Sequence, residues 1–112
     1  MIRVYIYCEG QTEESFIKRI LRPYLQNFQI EAVPIISKTG LNNHKIQKGG
    51  VSTYSKMKTE LNRLCGEHKN EIVTTMFDYY GLPNETPGSN NDASDLYEHV
   101  KIIESSIQDD IQ

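Results

Sequence analysis

Residues Ile2 to Cys8, IRVYIYC, run β-branched and aromatic with hardly a polar break. That is the pattern of a strand covered on both faces, the usual condition in parallel sheets. Gly10 ends the run, Thr12 is placed to cap a helix, and Glu13 and Glu14 fall in its first turn, where the helix dipole favours carboxylates. Phe16, Ile17, Ile20, Leu21, Tyr24 and Leu25 carry that helix at three-to-four spacing. Pro23 interrupts it without an amide hydrogen to give, so a kink or early stop is predicted near Arg22.

A second strand is predicted from Ile30 to Ile36, and Pro34 assigns it to an edge or a bulge. Residues 38–50, KTGLNNHKIQKGG, show no apolar periodicity and read as a long loop, of the kind that in small domains is functional or mobile. Ser52 can cap a second helix with Tyr54, Met57, Leu61, Leu64 and Cys65 as its buried stripe. A third strand follows from Ile72 to Phe77 and ends at Asp78, before a turn-rich stretch, YYGLPNETPGSNN. A last helix is predicted from about Asp92 to Ile111, with Leu96, Val100, Ile103, Ile107 and Ile111 inward. The order βαβαβα predicts an α/β fold of three layers, a mainly parallel sheet between helices. In such sheets ligands collect beyond the carboxyl ends of the strands, and Glu9 and Asp78 fall there.

The length of 112 residues suits one domain, 1–112. No run approaches the ~18 apolar residues of a membrane span. The N-terminus also lacks the continued apolar run and cleavage site of a signal peptide, which predicts a cytoplasmic protein with no membrane association. Cys8 and Cys65 sit inside apolar patterns and read as reduced packing residues. The net charge of −3 hides an asymmetry. Residues 1–37 carry four bases and four acids, residues 38–66 six bases and one acid, and residues 67–112 two bases and ten acids. A basic middle can face phosphate, although Lys56, Lys58 and Arg63 equally suit the solvated face of a helix.

Three acids carry the candidate chemistry. Glu9 ends the first strand, Glu13 lies in the first turn of the next helix, and Asp78 ends the third strand. Hard oxygen donors converging there would hold Mg²⁺ or Mn²⁺, and such an ion polarises a phosphoryl oxygen and activates water for phosphodiester cleavage. Glu13 also suits a plain helix-dipole partner, and Asp78 the start of a turn; Glu9 ends a buried strand and needs some partner. In the loop, Lys38, His44, Lys45 and Lys48 can touch phosphates while Gly49 and Gly50 bring backbone amides close. The segment lacks the GxxxxGK[ST] order of a P-loop.

After its buried strand, CEGQTEESF resembles the first motif of TOPRIM domains, the metal-binding catalytic module of topoisomerases, bacterial primases and overcoming-lysogenization-defect nucleases. EGQTEE, KGG and TTMFDYYGLP together resemble a bacterial family of TOPRIM-like proteins of unknown function, over essentially the whole chain. The resemblance implies a TOPRIM-like fold and a Mg²⁺-dependent nuclease or phosphotransfer domain acting on nucleic acid. Glu9 takes the motif glutamate's place, Glu13 that of the additional acid of the nuclease branch, and Asp78 that of the first DxD aspartate. The second DxD aspartate falls on Tyr80, which keeps open a non-catalytic interaction module of a larger assembly. The resemblance further implies a partner ATPase, and members continuing past the last helix, with residues 1–112 as an N-terminal part. Oligomeric state and the choice between DNA and RNA are not written in these residues.

Overall fold

Strand β1, Ile2–Cys8, lies at the centre of a three-stranded sheet of order β2-β1-β3, with β2 at Ile30–Ile36 and β3 at Ile72–Met76. Both neighbours run parallel to it, and Cys8 stands beside Ile36 on one side and Met76 on the other. The computed structural model describes residues 1–37, 53–90 and 95–111. The central position accounts for the apolar run Val4–Cys8 of β1, which is hydrogen-bonded along both edges and buried from Tyr5 onward, while Arg3 near its start is exposed and pairs with Glu31 and Glu71. Pro34 lies on the edge strand β2, as its missing donor requires. The third strand stops one residue earlier than expected, at Met76.

One face carries Tyr7 into a cluster with Tyr54, Met57, Leu61 and Leu64 of helix α3, Tyr54–Glu67, and with Ile107 of helix α4, Leu96–Asp110. The other face buries Ile6, Cys8 and Ala32 under Ile17, with Leu21 and Leu25 packed alongside. The α/β architecture therefore has a parallel sheet with helices on each face. Among the described residues, no helix is long and apolar enough to cross a membrane, and both cysteines are free, Cys8 buried.

Of the kink or early stop predicted near Arg22, the stop does not occur, and the helix is irregular just before Pro23 instead. It runs as α1, Gln11–Phe16, a π-helical stretch, Ile17–Leu21, and α2, Arg22–Gln26. Pro23 has no N–H for the carbonyl four residues back, and its ring crowds that carbonyl. The wider turn just before it, with Arg22 N–H donating to the Ile17 carbonyl, absorbs the misfit and lets the helix continue. Only Ile17 of its apolar stripe is fully buried; Phe16, Ile20 and Tyr24 stay exposed.

Three helix starts differ from expectation. Helix α1 starts after Gly10 rather than Thr12, because the Glu13 carboxylate accepts the Gly10 N–H at 3.2 Å. Thr53, not Ser52, caps α3 and accepts the Lys56 N–H at 3.2 Å. Asp95 caps α4 by accepting the Glu98 N–H at 2.8 Å, so that helix begins at Leu96. Asp92 lies outside the described residues. Leu96, expected inward, is exposed in the first turn, while Ile103 further along is buried.

Candidate carboxylate site

The parallel register brings the ends of β1 and β3 to one edge of the sheet. Glu9 follows Cys8 directly, and Asp78 lies two residues beyond Met76, the partner of Cys8. The Glu9 carboxylate accepts a hydrogen bond from the Asp78 backbone N–H. Asp78 in turn accepts the Tyr80 N–H at 3.2 Å and caps the short 3₁₀ turn Tyr79–Gly81. Glu13 is held one helical turn away by the Gly10 amide. Two strand ends and one helix start thus gather three acids.

Their electrostatics agree with this gathering. Burial lifts the Glu9 carboxyl above its ordinary value, and the negative charges of Glu13 and then Asp78 raise it further, against a smaller opposing effect of the Asp78 N–H. Each of the three carboxylates already takes one backbone donor. Among the described residues, no group of three or more His, Cys, Asp or Glu side chains is arranged to hold a metal ion. The acids are neighbours without forming a three-ligand cage.

A family model described as a domain of unknown function, DUF4276, matches residues 8–112. The chain belongs to this family. The DUF4276 match covers Glu9, Glu13 and Asp78 together with the segment between β2 and α3. No curated protein and no solved structure matches the chain.

Beneath the acids, the DUF4276 chain holds two polar connections that sequence reasoning missed. Tyr7 donates its hydroxyl proton to Glu60 and accepts from the Ser37 side chain; burial and the Glu60 charge push its hydroxyl pKa far up. The signal was present in the sequence, because a tyrosine in a buried strand needs a partner for its hydroxyl. Glu60 lies on α3 beside Met57 and Leu61, in reach of it. Ser37 is itself buried, with its N–H donating to the Cys8 carbonyl at 2.9 Å. That pairing fixes, at the carboxyl edge, the point from which residues 38–52 depart.

The second connection ties the turn after Asp78 to α4. His99 places Nε2 3.1 Å from each of the Gly88 and Ser89 carbonyls, so Nε2 carries the proton. Nδ1 then accepts from the Tyr79 hydroxyl at 2.5 Å. Two consecutive residues, Asp78 and Tyr79, are thereby held at the site. Tyr80, where the resemblance sets the second acid, is 82% exposed and offers no carboxylate. Lys38, His44, Lys45, Lys48, Gly49 and Gly50 of this DUF4276 chain lie outside the described residues.

Proposed function

We propose that this DUF4276 chain is a TOPRIM-like, Mg²⁺- or Mn²⁺-dependent nuclease or related phosphotransfer domain acting on nucleic acid. The observation that carries the reading is the pairing of Glu9 with Asp78 at the carboxyl ends of adjacent parallel strands, with Glu13 close enough to raise the Glu9 pKa. The donor chemistry fits a hard cation. Mg²⁺ is commonly held by only one or two carboxylates, with water and substrate phosphate filling the other positions. Glu9 and Asp78 would hold the ion. When bound, it would neutralise charge on a phosphoryl group and lower the pKa of a water.

The remaining roles belong to the chain's own side chains. One Glu13 oxygen faces the Gly10 amide, which leaves the other to assist as a ligand or to take a proton from water. Cys8, the residue before Glu9, is buried in a core cluster with Ile17. Lys38, His44, Lys45 and Lys48, with Gly49 and Gly50, would position the phosphate backbone in a segment that departs from Ser37 at this edge. Work beside a partner ATPase belongs to the same reading.

A second reading, a TOPRIM-shaped interaction module without catalysis, is favoured by exposed Tyr80 at the second DxD position and by the absence of a three-ligand group among the described residues. The deciding experiment is a Mg²⁺ titration followed by thermal unfolding, beside cleavage assays on duplex DNA, single-stranded DNA and RNA. Binding to the native state raises the melting temperature by mass action. The nuclease reading expects a Mg²⁺-dependent rise and cleavage in the wild type, both lost in Glu9→Gln and in Asp78→Asn. Equal Mg²⁺ shifts in all three proteins would reject the site, and no shift with no cleavage would leave the interaction module.

A further inference from the structure

Tyr80 is the most exposed tyrosine or phenylalanine among the described residues, at 82% against 70% for Tyr97. It is nevertheless firmly held. Its backbone N–H donates to Asp78 Oδ1 at 3.2 Å within the 3₁₀ turn Tyr79–Gly81. Its ring meets that of Tyr79 edge to face, with centroids 5.0 Å apart and planes at 83°. Tyr79 is itself fastened, because its hydroxyl donates to His99 of α4 and His99 holds the Gly88 and Ser89 carbonyls. In an edge-to-face contact one ring presents only its edge, so at least one face of Tyr80 stays clear of Tyr79.

Other exposed aromatics lack this setting. Tyr97 lies under the Lys101 ammonium, 5.2 Å from its ring centroid, and Tyr24 and Phe28 pack on each other with centroids 5.4 Å apart. Tyr80 stands two residues from Asp78, at the edge where the acids gather. A phosphate drawn to a cation on Glu9 and Asp78 brings a base to the same edge, since the sugar ties one to the other. In a duplex the base faces are already stacked, whereas an unpaired base offers a π face that an aromatic ring can take. Charge opposes a polyanion in this half of the chain, where residues 67–112 hold ten acids against two bases. Stacking needs no net charge, so it can hold a base where acids repel phosphate. A ring fixed before binding also loses little freedom when a base settles on it.

We propose that Tyr80 is a stacking platform for an unpaired base, which makes single-stranded nucleic acid the substrate class of the carboxylate site. The proposal rests on the nuclease reading: the cation on Glu9 and Asp78 takes the phosphate, and Tyr80 takes the neighbouring base. Tyr80 thus selects strand state through its ring and has no need of its hydroxyl.

The test measures binding of fluorescent oligothymidine, oligouridine, an abasic strand of equal length and a duplex to the full chain, with Ca²⁺ in place of Mg²⁺ to slow cleavage. The two single strands should bind more tightly than the duplex or the abasic strand. Tyr80→Ala should weaken single-strand binding roughly 5- to 150-fold, by a similar factor at low and high salt. Tyr80→Phe should keep the affinity, and Tyr97→Ala should leave it unaltered. Photochemically induced nuclear polarisation, which reports tyrosine rings open to a dye, should find Tyr80 accessible in the free protein and covered once the strand is bound. Equal affinity for the abasic strand, a preference for duplex, unaltered binding by Tyr80→Ala, or a Tyr80 ring shielded without nucleic acid would each overturn the platform and leave the nuclease reading standing. The abasic comparison uses the unaltered protein, so it decides the matter even if Tyr80→Ala disturbs the turn. No binding of any nucleic acid by the wild type would overturn the nuclease reading and the platform with it.

Discussion

Gly88 and Gly66 should respond with opposite signs to the same substitution by alanine. Gly88 has a φ of +85°, and a Cβ there would stand 2.9 Å from Ser106 Oγ, 3.2 Å from Ile102 Cγ2 and 3.2 Å from the Ile102 carbonyl oxygen. Left-handed backbone costs an L-residue about 1–2 kcal/mol. Ser106 can rotate away, but the Ile102 carbonyl belongs to α4 and cannot, which adds about 1 kcal/mol of the kind seen in overpacking. A loss of about 2–3 kcal/mol follows. With an unfolding entropy near ~2.1 cal/mol/K per residue, a chain of 112 residues changes its melting temperature by roughly 4 °C per kcal/mol, so Gly88→Ala should lower it by about 8–12 °C. Gly66 lies in the last turn of α3 with nothing within 4 Å of a Cβ. Gly66→Ala should therefore gain about 0.5 kcal/mol of helix propensity, roughly 2 °C. Thermal unfolding followed by circular dichroism reads both variants. A loss below about 2 °C for Gly88→Ala, or equal losses in the two, would refute the assignment of Gly88 as the close contact that seats the 79–90 stretch on α4.

Glu9 sets a pH dependence whose sign follows from its raised pKa: the folded protein holds that proton more tightly than the unfolded chain, so the stability it brings is present in acid and lost as pH rises through the folded value. Glu9→Gln should accordingly match or exceed the wild type in stability at neutral pH and lose that advantage on acidification, as measured by denaturant unfolding across a pH series. Tyr79→Phe leaves His99 Nδ1 without its 2.5 Å donor and should cost about 1 kcal/mol; chemical-shift changes that spare Asp78 and Tyr80 would deny the turn its anchoring role. On the proposed nucleic-acid reading, changing Lys38, Lys45 and Lys48 together to alanine should flatten the salt dependence of duplex DNA binding by up to roughly 0.9 log units per lost phosphate contact; an unchanged slope would remove these lysines from that reading, and no binding by the wild type would favour the interaction module.

Residues 2–8 announced a strand covered on both faces because they carry hardly a polar break, and β1 has those bounds, with Tyr5–Cys8 buried and Arg3 exposed near its start. Pro34 pointed to an edge or a bulge because it cannot donate to a ladder, and β2 is an edge strand among the described residues. The α3 stripe was readable because Tyr54, Met57, Leu61 and Leu64 follow the helical repeat. Local signals misled where tertiary contacts compete with them. Thr12 looks like a cap, yet the Glu13 carboxylate reaches back to Gly10 first. Pro23 looks like a stop, yet a π turn packed through Ile17 absorbs it. Leu96 fits the inward spacing but is exposed in the first turn of α4. The three acids could be named from the sequence because each ends or begins an element. Their gathering beyond the strand ends was expected from the parallel order, and the register of Cys8 beside Met76 is what brings Glu9 to the Asp78 amide. The Tyr7–Glu60 and Tyr79–His99 bonds, which join residues 53 and 20 positions apart, likewise exist only after folding. Pattern encodes what each segment buries, whereas contact between distant segments depends on strand order and register, which no local run of residues carries.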